Sequence, residues 1–314
     1  MNNLNKEFHS LFYNKLMKAR IYLIALYTTC SHHCRMCTAA QYNGIDANKS
    51  LSKVRKEIVN AKSLGMTDIM ISGTEATLHP RLVQIIKLVR KHGLRCCVGT
   101  NGRRFATLDF VKSFKDLDSF ALKMTFHSHK RELFDYLSGT PGSYLNTLKA
   151  MENIISYLEV YPKSITKVLS MHIVMNKLNY KDLPEMVRFL YSRGIRCVSL
   201  SSLTLTGRTY ENPGLLVDLD TVRPYFIKAI SEIERLKMVY MLIKLPICIY
   251  ESRYKHFLRP YDKNIGVKID KCKVCKFNKK CWGFTKVHFV AKYKKDSLKF
   301  PFLNQPDVEF VNSL

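Results

Sequence analysis

The sequence predicts an α/β fold, a partial (β/α)6 TIM-like barrel with a small C-terminal cysteine-rich extension, and three observations predict it. Short β-branched runs alternate with helical stretches from position 21 onward, the pattern of βα units that build a parallel sheet. Gly65, Gly93 and Gly194 each close a helical stretch just before a strand, where a left-handed helix cap usually sits. After residue 203 the alternation stops, and the chain turns rich in Lys and Cys toward its end.

Strands are expected near 21–28, 67–72, 94–99, 119–126, 166–175 and 195–201, with helices over 51–64, 80–92, 106–115, 143–158 and 182–193. The organisation that follows is a helical lead-in over 1–20, the barrel over 21–203, a connecting loop and helix over 204–240, and the extension over 241–314. In parallel α/β folds the active site lies at the C-terminal ends of the strands. Residues just after each strand are therefore the ones to inspect for chemistry.

Composition bounds the class. With 314 residues, 46% of them hydrophobic, the chain can bury a core of ordinary size and is not of the disordered class. The opening stretch MNNLNKEFHSLFYNKLMKAR is too polar for a secretory signal, and no run approaches the roughly 20 apolar residues of a membrane span. A cytoplasmic protein with no membrane partner is expected. In such a reducing compartment its ten cysteines point to metal binding or chemistry before disulfides. The net charge of +26 favours an anionic substrate or partner, although scattered solvated lysines would produce it equally well.

Seven of the ten cysteines fall into two tight groups. The first is TTCSHHCRMCTAA, which places Cys30, Cys34 and Cys37 in a C-x3-C-x2-C spacing directly after the first strand. Three thiolates so close in sequence can hold three corners of a [4Fe–4S] cubane, leaving the fourth iron without a protein ligand. A zinc site that recruits His32 or His33 is the alternative that spacing alone leaves open.

This loop resembles the cysteine loop of the radical S-adenosylmethionine superfamily, and the resemblance extends over roughly residues 20–205. It implies that the open iron binds S-adenosylmethionine and that reductive cleavage yields a 5′-deoxyadenosyl radical, which abstracts hydrogen from the substrate. An electron donor such as flavodoxin or ferredoxin is then required. Ser72-Gly73-Thr74-Glu75, at the end of the second strand, looks like the superfamily's Gly-Gly-Glu motif. There Gly73, Thr74 and Glu75 would bind the methionine ammonium, a cation that calls for acceptors and a negative charge. Thr74 stands where a second glycine is usual, and Met36 where an aromatic more often packs on adenine. Thr100, Asn101 and Asn176 fall where the family contacts the cofactor's carboxylate and ribose, and the run Ser199-Leu200-Ser201-Ser202 where it borders adenine. The segment Glu132 to Tyr144 also resembles a loop-to-helix stretch of the superfamily. His127 and His129 read as exposed loop histidines, and Cys96, Cys97 and Cys197 as small buried hydrophobes.

The second group is Cys272, Cys275 and Cys281, with Cys248 upstream, four thiolates that can close an iron–sulfur cluster or a zinc tetrahedron. Its spacing resembles the Twitch/SPASM-like auxiliary-cluster extensions of the same superfamily. That likeness implies a peptide substrate to be cross-linked, epimerised or oxidised; the alternative is a sugar or nucleotide in cofactor biosynthesis. A metal-stabilised nucleic-acid-binding protein would suit the charge, but no recognisable nucleic-acid motif interleaves aromatics with the Lys and Arg.

Overall fold

The computed structural model describes residues 19–26, 29–40, 48–164, 166–250, 267–281 and 283–284. The expected lead-in falls almost wholly outside these residues, as do Tyr27 and Thr28 at the end of the first expected strand, and most of the 241–314 extension. Seven strands, β1 (Ile21–Ala25), β2 (Asp68–Ser72), β3 (Arg95–Thr100), β4 (Phe120–Thr125), β5 (Lys167–Met175), β6 (Cys197–Ser202) and β7 (Val239–Ile243), form one sheet in sequential order. Every neighbouring pair is parallel, and the sheet curls into a half-barrel.

The helices that cross between strands are α1 (Leu51–Ser63), α2 (Leu82–Lys91), α3 (Leu108–Lys112), α4 (Arg131–Ser138), α5 (Ser143–Tyr157), α6 (Leu183–Ser192) and α7 (Leu219–Arg235). Their starts follow local chemistry where a cap is available. Ser50 accepts a hydrogen bond from the Lys53 N–H (3.3 Å) ahead of α1, and Asp218 from the Thr221 N–H (3.0 Å) ahead of α7. Each satisfies one of the four donors that a helix N-terminus leaves open. The three expected glycine caps all have positive φ, 68° at Gly65, 79° at Gly93 and 85° at Gly194.

Alternation along the strands sets what faces where. In β4, Phe120, Leu122 and Met124 are buried while Ala121, Lys123 and Thr125 are partly exposed, the period of two that separates the helix-packed face from the lumen. The packed face meets Ile69, Ile71, Val98 and Ile173 from other strands and Val54, Ile58, Ile85, Ile86 and Val89 from the helices, all with no exposed surface.

Two elements differ from expectation. The helix expected over 106–115 is a short 3-10 turn, Arg103–Ala106, followed by the five residues of α3. It shrinks because Phe105, Phe110 and Phe114 turn inward together, with ring centroids 5.0 to 5.2 Å apart. The stretch 239–247, read only as apolar, supplies β7, which pairs in register with β6 from Cys197↔Val239 to Ser201↔Ile243. Its buried pattern lacks clean alternation, which is why periodicity alone did not mark it as a strand.

Candidate functional site

The strand ends open into one cavity of about 360 Å³, within the range of about 300–1,000 Å³ usual for small-molecule sites. Cys30, Cys34 and Cys37 all line it, together with Met36, Gly73, Thr74, Glu75, Thr100 and Asn101. Three separate strand ends thus converge, as the sequence reading expects. Asn176 and Ser199 do not line the cavity. Asn176 is fully buried, its amide bonded to the Val174 carbonyl (3.2 Å) and close to Met36 Sδ (3.8 Å). Ser199 is equally buried, with its hydroxyl 2.8 Å from His172 Nδ1.

The cysteine loop is pinned from two sides. The His33 and Arg35 N–H groups donate to the carbonyls of Ser138 and Leu137 at the end of α4, each at 3.0 Å. From the other side the Arg208 N–H donates to the Cys37 carbonyl (3.0 Å). Both contacts need a bare backbone. A Cβ at Gly139 would collide with the His33 carbonyl and one at Gly207 with the Cys37 carbonyl, and both glycines have positive φ, 60° and 55°. Only glycine meets both demands at no cost. Gly139→Ala is therefore expected to lower stability by more than about 1 kcal/mol and to reduce the iron taken up on anaerobic reconstitution. Melting and iron assay check this; normal iron uptake would show that α4 does not set the loop.

Around the thiols, the His32 N–H (3.4 Å) and Asn101 Nδ2 (3.7 Å) both donate to Cys30 Sγ, and His127 Nε2 stands 3.6 Å from Cys34 Sγ. Burial pushes the Cys30 thiol up to about 11, despite the His32 N–H, and neighbouring charge at Glu75 and Cys37 adds to it. Cys34 is raised further, by burial and then by Cys37 and Cys30. Three thiolates crowded out of water need a cationic centre among them, which an iron–sulfur core supplies. Among the described residues no three His, Cys, Asp or Glu side chains converge on a single-ion position; thiolates that each bind a different iron corner need not converge. The residues present thus fit a cubane.

Glu75 is 2% exposed. Its Oε1 accepts from the Thr77 N–H (3.0 Å), Thr77 Oγ1 (2.6 Å) and Thr100 Oγ1 (2.6 Å), and its Oε2 from the Asn101 N–H (2.6 Å). The carboxylate therefore ties the end of β2 to the end of β3 and fixes the Asn101 amide that reaches Cys30.

His127 is not an exposed loop histidine: it is 4% exposed, and burial pulls its imidazole down to about 3. Of the run 199–202, Ser201 and Ser202 line the cavity, and the sequence reading passed over Lys123, His172 and Lys244, which line it too. The available signal was the period of two in FALKMTF, which puts a lysine on the face opposite Phe120, Leu122 and Met124.

The tail cysteines also meet. Cys248, Cys272, Cys275 and Cys281 line a second, small cavity of about 20 Å³. Cys281 Sγ accepts from the Ile247 (3.3 Å) and Gly283 (3.4 Å) N–H groups, and Cys275 Sγ from Phe277 (3.4 Å). Cys248 is exposed, and its thiol is pushed up to about 11 by the partial burial of its environment and then by the other three thiols. Among the described residues no helix is long and apolar enough to cross a membrane.

Comparison with known proteins agrees with this geometry. The chain is 24% identical over 178 residues to a tungsten-containing aldehyde ferredoxin oxidoreductase cofactor-modifying protein of Pyrococcus furiosus, covering 55% of this chain and 49% of that one. It is 24% identical over 172 residues to a probable GTP 3′,8-cyclase of Thermococcus kodakarensis, covering 54% and 53%. It thus spans about half the length of these curated relatives. Among solved structures, Streptococcus suis SuiB bound to S-adenosylmethionine superposes with a TM-score of 0.62 at 15% identity, over 87% of this chain and 74% of that one. The same protein bound to precursor peptide SuiA gives 0.56 at 17% identity, over 76% and 52%. Residues 24–190, more than half of the chain, match the profile of the radical SAM superfamily, and with three cysteines gathered at the mouth of a parallel half-barrel the chain is a radical SAM enzyme, a member of that superfamily.

Proposed function

We propose that this enzyme is a peptide maturase, which removes hydrogen from a peptide in order to cross-link, epimerise or oxidise it. The observation that carries the reading is the meeting of Cys248, Cys272, Cys275 and Cys281 at one small cavity beyond β7, the donor set of an auxiliary cluster like those of Twitch-type extensions. The fold shared with SuiB, whose structure holds a precursor peptide, supports it.

In this reading Cys30, Cys34 and Cys37 hold the [4Fe–4S] cluster. When bound, the reduced cluster would give one electron to the sulfonium of S-adenosylmethionine, breaking its C–S bond to leave methionine and a 5′-deoxyadenosyl radical able to take a hydrogen atom from the substrate. The chain's own residues do the positioning. Glu75 holds Thr100 and Asn101 in place; Asn101 and the His32 N–H stabilise charge on Cys30. Gly73 and Thr74 offer backbone to the methionine end, and Met36 packs beside adenine. Electrons come from a flavodoxin- or ferredoxin-like donor.

A second reading, a nucleotide or other small molecule in cofactor biosynthesis, is favoured by the names of the two curated relatives. One experiment separates them. Anaerobically reconstituted enzyme is incubated with dithionite, S-adenosylmethionine and host extract, and the products are resolved by mass spectrometry. A loss of two hydrogens on one small peptide, or a D-residue in a peptide of unchanged mass, is the expected result; a modified nucleotide with every peptide unchanged in both respects would replace the first reading with the second.

A further inference from the structure

We propose that Lys123, with Lys244 beside it, forms an anion-binding subsite in the reaction cavity that receives a carboxylate or phosphate of the substrate. The proposal rests on the reading above and adds the chemical group that the substrate must carry, a carboxylate if it is a peptide.

Lys123 sits on the lumen face of β4, in register with Gly99 on β3 and Ser170 on β5, and lines the same cavity as the three cysteines. Lys244, just past β7, lines it too. Among the described residues Lys123 has no hydrogen bond or ion pair, whereas Lys244 donates to Thr204 Oγ1 (3.2 Å). The one carboxylate on the described wall is Glu75, and both of its oxygens are already taken by four donors. His172 is held between Ser199 (2.8 Å) and Ser201 (3.2 Å) and offers no countercharge.

An ammonium sheltered from water without a partner is costly, and proteins keep such groups paired unless a ligand completes them. Lys123 is partly exposed to the cavity, and the burial around it still pulls its ammonium down to about 8, opposed by Cys97 and reinforced by Lys244. The cofactors do not relieve it. A cubane in its oxidised state with three thiolates carries one net negative charge and S-adenosylmethionine one net positive charge, so together they cancel. The missing partner is then an anionic group brought by the substrate.

The test uses anaerobically reconstituted full-length enzyme with S-adenosylmethionine present, titrated calorimetrically with glutarate as a carboxylate probe and inorganic pyrophosphate as a phosphate probe. Wild type should bind glutarate saturably, and Lys123→Met should weaken this at least about tenfold, the worth of one charge-assisted contact, while Lys123→Arg retains most of it. Since Lys123→Met removes an unpaired charge, its melting temperature without probe should rise, by on the order of 2 °C; a fall would mark Lys123 as structural and overturn the proposal. Probe binding that is absent in wild type, or indifferent to Lys123, would also overturn it, the anions then sitting on surface lysines. A parallel loss of S-adenosylmethionine affinity in Lys123→Met would assign the subsite to the cofactor's own carboxylate and overturn its assignment to substrate. Pyrophosphate bound in preference to glutarate would keep the subsite and overturn the peptide reading, so the two can fail separately.

Discussion

Alanine at Cys30, Cys34 and Cys37 together is expected to abolish formation of 5′-deoxyadenosine and methionine from S-adenosylmethionine under dithionite, and to remove about four irons from the reconstituted protein. The size of the effect follows from the geometry. All three thiols line the one cavity at the strand ends; the His32 N–H and Asn101 Nδ2 donate to Cys30 Sγ, His127 Nε2 pairs with Cys34 Sγ, and none of these groups is an alternative anionic ligand. Nothing else among the described wall residues replaces three thiolates. The loop itself should survive the change, because its backbone is held by Ser138, Leu137 and Arg208 through hydrogen bonds that involve no sulfur. Circular dichroism should therefore stay near wild type while iron and cofactor cleavage fall. Wild-type protein with one zinc and no iron, or a variant that still forms 5′-deoxyadenosine, would sink the assignment of these residues.

Much of the barrel was legible because two signals agree. Strand runs with β-branched residues and glycines at the helix ends mark the same boundaries, and local and tertiary preferences coincide there. The cysteine loop was legible because three thiols within eight residues, set directly after a strand, match the cubane-binding spacing without any long-range information. What stayed hidden depends on distance in sequence. That Gly139 and Gly207 brace the loop follows only once α4 and the segment after β6 are folded against it. His127 looks like a loop residue in sequence, yet the packing of Phe134 against its ring, centroids 5.2 Å apart, buries it. Glu75 was singled out for the cofactor's ammonium, whereas its bonds to Thr100 and Asn101 span about one βα unit and carry no local signature. Asn176 and Ser199 show the opposite case. Their positions at strand ends suggested the cofactor, and their side chains are spent within the fold.

Replacing Cys272, Cys275 and Cys281 by alanine is expected to abolish substrate turnover while leaving cleavage of S-adenosylmethionine in place, since that step needs only the first three cysteines. With an auxiliary cubane in the tail, wild type carries about eight irons and the variant about four. The four thiols line one small cavity, and three backbone N–H groups already aim at the sulfurs of Cys275 and Cys281, an arrangement that stabilises thiolate toward any metal. Among the described residues no three of these thiols converge on a single-ion position, which suits ligands that each take a different iron corner better than one zinc ion, while a void of about 20 Å³ requires the tail to open for a cubane. Metal analysis decides between them. Zinc in the tail would leave wild-type iron near four atoms, and the triple variant would lose zinc and melt earlier together, as structural metal sites do. Cys248 is tested alone, because it stands at the end of a different segment from the other three. Cys248→Ala should reproduce the triple variant if it is the fourth ligand, whereas full metal content and full turnover would leave the site with three protein ligands and an open position. In an iron cluster that open position is where a substrate group would bind the metal directly.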